Sequence, residues 1–98
     1  MLFVMRFTDN QQRLATRKQF LPAHLEWLEA HNKHVLVAGS LRPEPDAAPI
    51  GACWIVEAEN KIEVEHLLQS DPFWVQGPRQ SYEILHWSKA FPERQVLV

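Results

Sequence analysis

An imidazole on the apolar stripe of an amphipathic helix needs a partner, and residues 22–28, Pro-Ala-His-Leu-Glu-Trp-Leu, put His24 in that position. Burying the ring without a hydrogen bond costs desolvation, so its presence points either to a hidden partner or to a site. The partner expected for it is Asp71, in the turn Asp71-Pro72-Phe73. A carboxylate bonded to one imidazole nitrogen fixes the tautomer, leaves the other nitrogen as a base, and offers a countercharge to the imidazolium that forms when it takes a proton. No serine sits at a nucleophile elbow and no motif places Cys53 beside a base, so general-base work is favoured over covalent catalysis. Ser40 could donate a hydrogen bond to a substrate oxygen, and Arg6 or Arg17 could hold a carboxylate or phenolate.

Each of these residues also has a purely structural reading. A histidine on an apolar face is by default a satisfied core residue, and an aspartate before proline commonly initiates a turn and caps the next backbone amide. The aromatic set Trp27, Trp54, Phe73, Trp74 and Trp87 suits a core and an interface before it suits the stacking wall of a planar ligand.

Metal and cofactor chemistry find no support. The chain has five histidines, but His24 and His31, seven residues apart on one helical face, are separated by about 10 Å along the axis, too far to share a zinc ion. There is one cysteine, no His-x-x-x-His, no phosphate-cradling glycine loop and only three glycines, so the expectation is a site without metal, nucleotide or flavin. The balance of ten Lys and Arg against twelve Asp and Glu creates no field for nucleic acid or acidic lipid. Arg13, Arg17 and Lys18 at helical spacing read first as a solvated face. The expected partners are a small molecule and a second copy of the chain.

These residues need a scaffold. Ninety-eight residues, 46% of them hydrophobic, suffice for one folded domain spanning 1–98 with a single core. The apolar runs are too short to span a bilayer, Arg6 follows the N-terminal apolar run in the reverse of signal-peptide order, and a lone Cys53 suits a reducing compartment; a cytoplasmic protein is expected. Leu2 to Phe7 alternates as a strand, with Phe3, Met5 and Phe7 on one face. From Arg13 to Asn32 the period becomes helical, with Phe20, His24, Trp27, Leu28 and His31 on one face and Glu26, Glu29 and Lys33 towards water. Pro22 should start, kink or split this helix, which predicts a short turn at 11–18 and a main helix near 20–32.

His34 to Leu41 reads as a second strand, and the three prolines of 42–49 make a loop that could shape access to a pocket. Ile50 to Glu57 is a third strand, apolar enough to be covered on both faces. Asn60 and Glu63 form a capping-box pattern for a helix ending near Gln69, and Tyr82 to Trp87 is a last strand, followed by the apolar tail 95–98. Strand, helix, strand, strand, helix, strand is the order of a ferredoxin-like α+β sandwich: an antiparallel sheet with helices on one face only. Because the strands carry apolar residues on both faces, the open face is expected to be buried in a homodimer, with Val96-Leu97-Val98 reaching the partner's edge.

The runs Pro22 to Leu28, Val37-Ala38-Gly39-Ser40-Leu41, Gly51 opening the third strand, Ser70-Asp71-Pro72-Phe73, and Ile84 to Trp87 together resemble the YciI-like (YCII-related) family over nearly the whole chain. The resemblance implies a dimeric ferredoxin-like α+β barrel, related in shape to muconolactone isomerases. It also implies a catalytic His-Asp pair, whose motif positions fall on His24 and Asp71. One branch of the family resembles dehydrochlorinases that remove HCl from a chlorinated hydroxyquinol. A departure is His86, which stands before Trp87 where members often carry proline; it adds a titratable group near the end of the sheet.

Two function classes follow. One is a small cofactor-independent enzyme of lyase, dehydrochlorinase or isomerase type, moving a proton on a small cyclic or aromatic compound with His24 as base and Asp71 as its orienter. The other is a non-catalytic dimeric module binding a small ligand or a protein through the same cleft. They differ in geometry: an enzyme needs His24 and Asp71 within hydrogen-bond reach and facing a cavity, not sealed beneath Phe20 and Trp27.

Overall fold

Alternation along the first strand sorts its side chains into two faces, and a computed structural model, which describes all residues Met1–Val98, shows what each face meets. β1 (Leu2–Asp9) buries Phe3, Met5, Phe7 and Asp9 on one side. A 3-10 turn (Gln11–Arg13) leads into α1 (Leu14–Ala30), followed by β2 (Val35–Leu41), β3 (Gly51–Glu57), α2 (Lys61–Leu68), the helical turn α3 (Pro72–Val75) and β4 (Arg79–Trp87). The strands form one antiparallel sheet in the order β2-β3-β1-β4, the α+β arrangement of a ferredoxin-like sandwich.

Register builds the core. Met5 stands opposite Trp54 on β3 and Ile84 on β4, and Phe3 opposite Val56, all facing the helices. Trp27 of α1 and Val64 and Leu68 of α2 close over this face. Gly51 is required where β3 meets β1, because a Cβ there would lie 2.0 Å from the Phe7 carbonyl oxygen. No helix is long and apolar enough to cross a membrane.

Three expectations are corrected. The helix expected to split near Pro22 runs unbroken from Leu14 to Ala30. Pro22 lies on the water side of α1, as does Lys18, whose carbonyl loses its amide donor, so solvent can take the missing bond and the apolar stripe stays continuous. The last strand begins at Arg79, three residues before Tyr82: Gly77, at φ +84°, turns the chain, and the Pro78 carbonyl accepts the Asn10 amide 2.8 Å away, which starts the pairing early. The turn after Asp71 is itself helical, α3. At α2, Asn60 Oδ1 accepts the Glu63 amide as the capping pattern predicts, while the Glu63 carboxylate takes the amide of Glu59 in place of that of Asn60.

The sheet face away from the helices carries Leu2, Val4, Val37, Leu41, Cys53, Ile55, Leu85 and Trp87, crossed by one ion pair between Arg6 and Glu83. Val37, Leu85 and Trp87 are about two-fifths exposed, at 39%, 45% and 42%. The tail residues Val96 and Val98 line a shallow cleft with Leu2, Val37, Ile55 and Trp87, yet remain largely exposed.

Candidate active site

α1 aims His24 inward and the connection after α2 brings Asp71 to meet it. Asp71 is fully buried, and its extended backbone makes it the N-cap of α3, with Oδ1 accepting the Phe73 amide at 3.1 Å. The same oxygen accepts the His24 Nδ1–H at 2.7 Å. Because an ionised carboxylate only accepts, the proton of the neutral ring belongs on Nδ1, which leaves the Nε2 lone pair free. Asp71 Oδ2 is buried without a partner, so the ring is the only side chain that answers this carboxylate. Phe73, delivered by the same turn, stacks on the imidazole at 3.9 Å and 8° and holds its plane. Asp71 is thus both cap and orienter, and Phe73, two residues on, is the platform.

Although His24 is only 5% exposed, its ring is not sealed beneath Phe20 and Trp27. It lines a cavity of about 210 Å³ together with Arg17, Leu21, Leu25 and Leu28 of α1, Ala38, Gly39 and Ser40 of β2, Ala52 and Trp54 of β3, Arg42 and Arg79. Nε2 makes no bond within the chain. Half of the lining is apolar; the polar side chains are His24, one hydroxyl and three guanidinium groups.

Beneath this cavity lies a buried charge cluster. Asp9, 3% exposed at the end of β1, accepts Arg79 Nη1–H at 2.8 Å and Arg17 Nε–H at 3.2 Å. Both guanidinium groups rest on aromatic faces: Arg79 lies 4.5 Å from the Phe7 centroid, and Arg17 and Arg79 each lie 5.0 Å from that of Phe73. Burial pushes Arg17 below the usual arginine range, with Asp9 opposing the shift and Arg79 and Arg42 adding to it as like charges.

The residues singled out from sequence therefore divide. His24, Asp71, Arg17 and Ser40 gather at one place. Ser40 Oγ accepts an N–H of Arg42 at 2.7 Å. Arg6 is placed elsewhere: it pairs with Glu83 on the open sheet face, because even-numbered residues of β1 point away from the helices, and it does not line the His24 cavity. His86 packs against Phe3 at 4.7 Å on edge strand β4, also outside this cavity. Sequence reasoning misses Asp9, Arg79 and Arg42. A signal for Asp9 exists, since the alternation Phe3, Met5, Phe7 continues inward to position 9. Arg79 follows Gly77-Pro78, a pair that signals a loop. A separate cavity of about 300 Å³ is lined by His31, His34, Glu63, His66 and Ser70, but no three ligating side chains converge closely enough there or elsewhere to share a metal ion.

The family model described as YCII-related domain matches residues 1–88. The solved structure of 5-chloro-2-hydroxyhydroquinone dehydrochlorinase from Burkholderia phenoliruptrix AC1100, in complex with 2,5-dihydroxybenzoquinone, superimposes with a TM-score of 0.80 at 27% identity, covering 90% of this chain and 94% of that one. A Bacteroides thetaiotaomicron protein named for antibiotic biosynthesis monooxygenases aligns at TM-score 0.60 and 15% identity, covering 99% of this chain and 95% of its own. A Thermus thermophilus protein aligns at TM-score 0.53 and 16% identity, covering 95% and 100%. The last two share the fold alone. No curated protein matches the sequence.

Proposed function

The chain belongs to the YCII-related domain family, and from that premise we propose that it is a small cofactor-independent enzyme of lyase, dehydrochlorinase or isomerase type acting on a small cyclic or aromatic compound. One observation carries the reading: His24 Nδ1 bonds Asp71 at 2.7 Å while the ring lines a cavity with Nε2 unspent. In the proposed step Nε2 takes a proton from a substrate carbon or hydroxyl. The electron pair left behind moves into the conjugated system. In a lyase it expels a leaving group as its anion, and in an isomerase the proton returns at another carbon. Asp71 keeps the ring in the Nδ1–H tautomer and faces the imidazolium with a negative charge. Ser40 and Arg17 would hold substrate oxygens; Arg6, paired on the other face of the sheet, is left without a part in this step.

The similarity to a dehydrochlorinase over nearly the full length of both chains supports the choice of chemistry. The test is chloride release from 5-chloro-2-hydroxyhydroquinone under anaerobic conditions, by wild type and by His24→Asn. Wild type should release chloride, and the variant should lose about 10²- to 10⁴-fold in rate, the usual worth of a general base. Binding without turnover would hand the cleft to the ligand-binding reading, and turnover untouched by the substitution would remove His24 as the base. The proposal extends to a homodimer that covers the apolar open face, in the reducing cytoplasm where Cys53 stays a thiol.

A further inference from the structure

Three guanidinium groups line the His24 cavity, against two carboxylates at its edge, Asp9 and Asp71, and Asp71 is engaged by His24. Arg17 and Arg79 share one carboxylate, Asp9, and Arg42 has none: it donates only to Ser40 Oγ at 2.7 Å and the Ala47 carbonyl at 3.2 Å. Three guanidinium groups on one small cavity repel each other, and the polar wall can donate several hydrogen bonds while accepting almost none. An apolar ligand would leave these groups unanswered, whereas an oxyanion answers both the charge and the donors.

Shape adds a second limit. About 210 Å³ falls below the roughly 300–1,000 Å³ of pockets for drug-sized ligands, so the space suits a single ring. Leu21, Leu28, Ala52 and Trp54 offer that ring apolar contact. Arg17 and His24 lie on one stripe of α1 and both rest against Phe73, the guanidinium at 5.0 Å and the imidazole at 3.9 Å from its centroid, so cation and base serve the same ring-sized space.

We propose that the substrate is a single-ring organic anion, a phenolate, enolate or ring carboxylate, whose oxygen is held by Arg42 and Arg17 while its reacting hydrogen is turned to His24 Nε2. This deepens the proposed function and rests on the same cavity. Arg42, at the start of the proline-containing loop 42–49, is then a specificity-determining residue, and the loop is tied to the rim of the cavity through its bond to the Ala47 carbonyl.

The test is isothermal titration calorimetry with 2,5-dihydroxybenzoquinone, an anion at neutral pH, and with hydroquinone, a neutral single-ring phenol, the latter under argon. Wild type should prefer the anion by about tenfold or more, and the preference should shrink with added salt. Arg42→Gln, at an exposed position that does not threaten folding, should remove most of that preference, and Arg17→Gln the rest. Equal affinity for the two probes, or a preference unchanged in both variants, overturns the inference. His24→Asn separates it from the parent reading: the variant should keep the anion preference while losing turnover. If it keeps turnover as well, the base assignment fails and the anion site stands. If turnover is lost in His24→Asn but wild type binds both probes alike, the anion site fails and the base assignment stands.

Discussion

At the scale of single residues the site depends on what Asp71 does beyond capping. Asparagine caps a helix about as well as aspartate, so Asp71→Asn should keep the bond from the Phe73 amide and leave the fold intact. It replaces a carboxylate that only accepts by an amide that also donates, which admits the Nε2–H form of His24 and removes the free lone pair. Ring ¹⁵N spectra should change from a single Nδ1–H tautomer to a mixture, and turnover should fall about 10²-fold or more. Unchanged spectra with unchanged turnover would reduce Asp71 to a turn residue. Asp9 offers a second prediction. Arg79→Met keeps the volume but leaves the Asp9 carboxylate with Arg17 alone, and removing one partner from a buried ion cluster costs about 3 kcal/mol or more. Urea unfolding should show that loss; a variant as stable as wild type would mean that solvent reaches Asp9.

At the scale of elements, α1 carries both the proposed base and a cation because Arg17, Leu21, His24 and Leu28 recur at helical spacing along one stripe. The stripe survives Pro22 only because the proline points to water. Pro22→Ala should therefore restore the bond to the Lys18 carbonyl and raise stability by about 1–3 kcal/mol without disturbing the His24 tautomer. A fall in the thermal midpoint would show that proline stabilises α1 by restricting the unfolded chain more than its missing hydrogen bond costs. The other deciding element is β4. Its start at Arg79, with Asp9 paired opposite across a register shift in β1, seats that guanidinium under the cavity. A strand beginning at Tyr82 would have left Asp9 with one cation.

At the scale of the whole molecule, helices cover one sheet face and leave the other apolar over all four strands. A patch of this kind marks an association surface more often than a solvated one. Leu85→Asp places a charge on the open face beside Val4. Light scattering should then report twice the chain mass for wild type and the single-chain mass for the variant, with the helical signature retained. A wild type of single-chain mass at micromolar concentration would remove the dimer, and the tail 95–98 would then be the only cover available to that face.

Strand and helix periods are local, since the alternation of Phe3, Met5 and Phe7 and the spacing of His24, Trp27 and His31 each follow from the geometry of one element. The α+β class and the order of its parts are therefore legible from the chain. His24 stands out for the same reason, as an ionisable group in the middle of an apolar stripe. Its pairing with Asp71, 47 residues away, is an expectation of the sequence, with the family resemblance placing both motif positions; no spacing along the chain could prove it. The cluster of Asp9, Arg17 and Arg79 is settled only in three dimensions. Asp9 and Arg79 are 70 residues apart, and whether they meet depends on where β4 starts, which the turn at Gly77 and the Pro78 carbonyl decide. Burial of like charges likewise leaves no periodic trace: an arginine on a helix reads as a solvated residue until neighbouring elements take the water away.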